Sequence, residues 1–336
     1  MSSYIKKVAI VGVRNYTFYT ASELQTNNIN KKATGNMGKH TITELQKGNN
    51  HSITVLTRKG SNLSLSPSIN ILEVDYESLE NLTSALAGQD LLMITLAVNT
   101  PPHVHSNLIS AAGSAGVKYI IPNAYGFDFH NEGINADVPF GKMAQNYFPD
   151  IESKGMIHFS LICGFWYEWS LGLPWCYGID IASRKAIFYD DGMTKMNTST
   201  WIQCGKTIAT LISLPEKELE AKYKNRSLHV SSFRLSQREM LDSLHRVLGT
   251  KDEDWEISYE NTKERYQQGM QDMKNGDPTG FSKAMYARVF YPDGSGDYES
   301  SKGLDNEDLG LPHEDLDEAT KRAVEMVNSG WNPFAA

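Results

Sequence analysis

The chain has 336 residues, 40% of them hydrophobic, and a formal net charge of -8. That length fits one large α/β unit with a smaller companion, and the apolar content can build a core without metals or disulfides. The acidic balance and the lack of any basic run exclude a nucleic-acid binder, whose phosphate partner must be met by clustered Lys and Arg.

The first residues, MSSYIKKVAIVG, carry no long apolar signal core, and no apolar run approaches membrane-spanning length. A cytoplasmic protein with no membrane partner is therefore expected. Cys163, Cys176 and Cys204 are scattered without CxxC or His-paired spacing, which predicts reduced, partly buried thiols and no metal site.

In chain order, residues 7–12 (KVAIVG) form a β-branched run ending in Gly, the pattern of a buried parallel strand. After a polar tract, Met37, Ile42 and Leu45 recur at helical spacing, with Gly48 as a stop. Strands are predicted over 52–57, 69–74, 91–96 and 118–121, and helices over 79–86 and 103–115. Strands alternating with helices predict βαβ crossovers and a parallel sheet. A further strand is predicted over 157–163, then an aromatic cluster over 165–177, mixed short elements, and a final helix over 314–328. The expected fold is α/β, a Rossmann-type doubly wound parallel sheet over residues 1–156 with a smaller C-terminal α+β substrate domain over 157–336.

Joining Gly12 directly to Ala33 reads VGATGNMGKH, a complete G-x-x-G-x-x-G between a strand and a helix. Such a loop needs Gly12 for the tight turn, Gly35 for backbone approach to the phosphates and Gly38 for close helix packing. Thr34, Asn36 and Met37 lie between them. Residues 13–32 divide the motif where Rossmann loops are among the shortest. They are either a surface insertion or a retained intron. Val13 and Arg14 can be encoded as a splice donor, Lys32 can end in an acceptor, and about twenty codons, roughly sixty nucleotides, suit a short intron whose removal restores the motif. The intron reading is preferred for that reason.

The second strand runs out into Arg58 and Lys59, where an NAD site would place an acid for the ribose 2′-hydroxyl. Two cations there suit a 2′-phosphate, so NADP(H) is the expected cofactor. Asp75, ending the third strand, is expected at the adenine edge or as a helix cap. His103 and His105, at the mouth of the fourth strand, are expected to start a helix, not to act in catalysis. The aromatic run 165–177 either lines a pocket for a flat substrate or floors the junction between domains.

These residues together resemble a known family. VAIVG, ATGNMGKH, TVLTRKGS and AAGSAGVKYIIPNAYG resemble the NmrA-like, isoflavone reductase-like group of atypical short-chain dehydrogenases. The phrases SQREMLDSLHRV, ARVFYPDG and LGLPHEDLDEATKRAVEM resemble its fungal CipA-type branch. The resemblance spans nearly the whole chain except 13–32. It implies an NADPH-dependent oxidoreductase of a small, aromatic or secondary metabolite, working as monomer or homodimer. It also implies cofactor contacts at Leu96 and Pro122, and a lysine beside the nicotinamide, for which Lys142 is the candidate. The chain departs from the family in two places. Asn123 and Ala124 replace the Ser and Glu of the plant turn, and Asn146, Tyr147 and Phe148 replace a basic pair. Tyr147 is followed four residues later by Ile151 and not by Lys, so the ordinary short-chain dehydrogenase mechanism is not expected. The family also includes dinucleotide-sensing regulators without turnover, which leaves a non-catalytic reading open.

Overall fold

The computed structural model describes residues 3–12, 36–61, 63–97, 100–138, 140–277 and 279–331. The segment 13–32 and two residues of the glycine loop, Thr34 and Gly35, lie outside the described residues.

Strand β1 (Lys7–Val11) precedes α1 (Asn36–Gly48), β2 (Ser52–Arg58), β3 (Asn70–Val74), α2 (Leu79–Leu86), β4 (Leu91–Ile94), α3 (Pro102–Ser114), β5 (Tyr119–Ile121) and β6 (Tyr125–Gly126). Helices α4 (Glu132–Asp137), α5 (Phe140–Gln145) and α6 (Tyr147–Ser153) lead into β7 (Ile157–Ile162), β8 (Phe165–Trp166), α7 (Tyr167–Leu171), α8 (Pro174–Tyr177), β9 (Ile179–Asp180), β10 (Lys185–Tyr189) and β11 (Met196–Ser199). The rest comprises α9 (Trp201–Ile212), α10 (Glu216–Tyr223), β12 (Arg226–His229), β13 (Phe233–Leu235), α11 (Gln237–Leu248), β14 (Glu256–Glu260), α12 (Thr262–Lys274), α13 (Gly280–Val289), α14 (Tyr298–Lys302) and α15 (Leu316–Asn328).

The main sheet runs β12-β7-β5-β4-β1-β2-β3, with β6 also on β7, and its pairings are parallel. A strand buried on both faces has no polar side to alternate with, which is why β4 reads Leu-Leu-Met-Ile and all four residues are fully buried. Alternate residues of β1 face opposite cores. Val8 and Ile10 pack with Ile42 and Leu45 of α1, while Ala9 and Val11 pack with Leu108 and Ile109 of α3. Helices α1 and α9 pack together, as do α2 and α3, so the sheet is doubly wound. Helix α2 starts where Ser78 accepts a hydrogen bond from the Asn81 amide and buries Leu82 and Leu86.

The sheet draws on both sides of residue 156, because β7 and β12 extend it beyond β5. Two three-stranded sheets, β14-β10-β9 and β13-β11-β8, make up the strand content of the remainder. Their core is the aromatic run. Tyr167 and Tyr177 are fully buried, bonding Thr320 and Thr198 through their hydroxyls, and Phe165 stacks on Tyr286 at 3.9 Å. Tyr167 and Tyr177 therefore serve the floor. All three cysteines are buried free thiols, and burial pushes the Cys176 thiol up. No helix among the described residues is long and apolar enough to cross a membrane, and those residues hold no cluster of metal-ligating side chains.

Candidate functional site

In an open α/β sheet ligands bind at the carboxyl ends of the strands, where the order reverses. Here that point lies between β1 and β4. Gly12, directly after β1, has φ +90, and a Cβ there would sit 2.1 Å from the Thr95 carbonyl oxygen. Thr95 cannot retreat, because its amide and its hydroxyl both bond the Val11 carbonyl, at 3.0 and 2.6 Å. Only glycine fits this junction. Helix α1 begins at Asn36, with Met37 and Gly38 buried in its first turn, and the start of a helix is where backbone amides are aimed at an anion. The described ends of the interrupted motif are thus Gly12, closing β1, and the first turn of α1.

At the end of β2, Arg58 and Lys59 are exposed. Tyr76 crosses this end, its hydroxyl donating to the Leu56 carbonyl at 3.2 Å. Burial pushes that phenol up to about 12, opposed by the Arg58 charge. Glu73 accepts from the Gly60 amide at 3.2 Å and so fixes the turn behind the two cations. Asp75 accepts from the Glu77 amide at 3.0 Å and thereby shapes the approach to α2, which Ser78 caps. The helix-cap expectation for Asp75 thus comes down to a turn one step earlier.

A ledge joins β4 to β5. Leu96 is half-buried and Pro122 buried. The Asn123 carboxamide donates to the Leu96 carbonyl at 3.1 Å, and the Asn123 amide donates to His105 Nε2 at 3.1 Å. His103 is an exposed start to α3 and pairs with Glu77 at 2.9 Å. His105 is different: it is 3% exposed and stacks on Tyr147 at 3.7 Å. Phe148 likewise stacks on His158 at 4.5 Å. The aromatic pair that replaces the family's basic pair therefore clamps α6 to α3 and β7. Sequence reasoning missed both contacts.

Lys142 is exposed on α5 and has no partner among the described residues. Its segment is fastened from the far end of the chain. Lys302 bonds the buried Asp128 at 2.5 Å, Arg288 bonds Asp137 at 2.5 Å, and Tyr266 donates to the Asp137 carbonyl at 2.9 Å. The Asp128 carboxyl is buried, which works against its charge. The nearby His229, the bond from Lys302 and the His130 amide outweigh that cost and hold it well below the usual carboxylate range.

Burial and the neighbouring Lys39 charge lower His40 to about 3, and burial, opposed by Asp150, lowers His105 to about 4. Both histidines are neutral when folded and would protonate near 6.5 when unfolded. The unfolded chain therefore binds more protons below pH 6.5, and stability should fall as the pH drops from about 6.5 towards 4. A melting temperature that stays level across that window would contradict these environments.

Strand order, the glycine junction and the exposed cations are those of a Rossmann-type α/β fold suited to a dinucleotide. A family model described as NAD(P)H-binding matches residues 33–150, beginning directly after the interrupting segment. The chain is 25% identical over 294 residues to Oxidoreductase aprR of Aspergillus flavus, covering 85% of this chain and 94% of the relative. Its fold is that of isoflavone reductase, with TM-score 0.69 at 18% identity, covering 95% of this chain and 99% of that one. A structure described as AtPrR2 with NADP+ and (+)pinoresinol matches with TM-score 0.70 at 14% identity, covering 96% and 99%.

Proposed function

We propose that the chain is an NADPH-dependent reductase of a small aromatic or other secondary metabolite. The observation that carries this reading is the end of β2, where Arg58 and Lys59 are exposed and no acid stands between Thr57 and Ser61. A 2′-phosphate pairs with such cations, whereas a 2′-hydroxyl would want a carboxylate. The NADP+ and (+)pinoresinol in the AtPrR2 structure, and the oxidoreductase name of the fungal relative, support this reading.

Gly12 and the first amides of α1 would hold the pyrophosphate, with Thr34, Gly35, Asn36, Met37 and Gly38 completing the loop. Arg58 and Lys59 would take the 2′-phosphate, and Leu96 and Pro122 would bear on the nicotinamide end. The bound cofactor supplies a hydride to an electrophilic carbon of the substrate. Lys142, an ammonium in reach of solvent, delivers the matching proton to the developing oxyanion and recovers one from water.

Two measurements test this. Replacing Arg58 and Lys59 together with alanine should weaken NADPH binding about tenfold or more and leave NADH nearly unchanged. Equal weakening of both would overturn the 2′-phosphate assignment. The protein lacking 13–32 should oxidise NADPH in the presence of at least one member of a panel of enones, isoflavonoids and quinones. Firm NADPH binding with no oxidation by any of them would replace the reductase reading with that of a dinucleotide sensor.

A further inference from the structure

His105 does more than begin a helix. It is nearly inaccessible, yet it is polar, and its Nδ1 has no partner among the described residues. A leucine would fill the same volume without burying an unpaired nitrogen. The other ring nitrogen, Nε2, accepts from the Asn123 backbone amide at 3.1 Å. Asn123 in turn donates its carboxamide to Leu96 at 3.1 Å, so the ends of β4 and β5 are tied through one asparagine that one histidine holds. Tyr147 stacks on the opposite side of the ring at 3.7 Å, with 21° between the planes, and fixes its orientation.

We propose that His105 is a positioning residue for the nicotinamide end of the cofactor, setting the height of the Pro122–Asn123 ledge by accepting the Asn123 amide. This rests on the cofactor placement proposed above. Acceptance requires a bare Nε2 and hence a neutral ring. Burial secures that state against the opposing pull of Asp150 on α6. The adenosine half of the dinucleotide, at the end of β2, lies beyond the reach of this contact.

Two substitutions separate acceptance from packing. His105→Phe keeps a ring to stack on Tyr147 but has no acceptor, whereas His105→Gln offers an acceptor oxygen without the ring. Binding of NADPH and of adenosine 2′,5′-bisphosphate, which lacks the nicotinamide, is measured by titration, together with the fluorescence of the bound nicotinamide. His105→Phe should weaken NADPH about tenfold, the scale of one lost buried hydrogen bond, and reduce the nicotinamide fluorescence. Adenosine 2′,5′-bisphosphate should bind as before, and His105→Gln should restore NADPH to near the wild-type value. The opposite order, with Phe tolerated and Gln impaired, would show a packing role and overturn the proposal. So would equal weakening of both ligands by His105→Phe. If the unsubstituted chain binds neither ligand, the cofactor placement itself fails, a result distinct from either.

Discussion

Gly12→Ala should lower stability by about 4 kcal/mol and abolish measurable NADPH binding. Two costs add. A non-glycine residue at φ +90 carries roughly 1–3 kcal/mol of backbone strain, and overpacking typically costs a further 1–3 kcal/mol. The second cost is at its upper end here, because the new Cβ would lie 2.1 Å from the Thr95 oxygen and 2.5 Å from its carbon, both backbone atoms. At the unfolding entropy usual for globular chains, 4 kcal/mol corresponds to a fall in Tm of roughly 6 °C. Gly60→Ala is the control. Gly60 has φ +76 but nothing within 4 Å, so it should show the strain alone, about 1 kcal/mol. If the two variants melt together, the close approach of β1 to β4 is not what this junction depends on.

Removing residues 13–32 should tighten NADPH binding by about tenfold or more. The pyrophosphate needs the turn after β1 and the first amides of α1 in one short loop, since the helix-terminal charge acts only within its first turn. Joining Gly12 to Ala33 leaves three residues between Gly12 and Asn36, the length of a glycine-rich turn. Equal affinity with and without the segment would show that it leaves the phosphate loop intact. Spliced transcripts in which Gly12 and Ala33 are never joined would dispose of the intron reading, whatever the affinity.

The Rossmann core was legible because parallel, doubly buried strands write themselves as unbroken apolar runs, as over Val8–Val11 of β1 and at β4. Strand β12 was not legible. Its sequence, Arg-Ser-Leu-His, has one deeply buried residue, Leu228, and it is a strand only because β7 offers it an edge. The two small sheets contain strands of two to five residues, too short for a period of two to stand out. In the site, Gly12, Arg58 and Lys59 follow from local motif chemistry. The roles of His105 and Tyr147 do not, because an amide 18 residues from His105 and a ring on another helix create them. A histidine two residues into a helix otherwise reads as nothing more than a helix start. The run over 165–177 shows the limit from the other side, since composition could not tell a pocket wall from the buried floor that Tyr167 and Tyr177 form.

The fastening of the Lys142 segment also sets an order of events during synthesis. Asp128 must wait for a lysine 174 residues further on, and Asp137 for an arginine 151 residues further on. At translation rates of about 5–20 residues per second, the first of these gaps amounts to roughly 9–35 s. Until Tyr266, Arg288 and Lys302 are made in turn, β1 to β5 can pair while Asp128 and Asp137 lack these anchors. The proposed reductase site is therefore assembled from an early-made floor and a late-made clasp. A ribosome stalled before Lys302 holds a Rossmann sheet in which Asp128 still lacks its lysine.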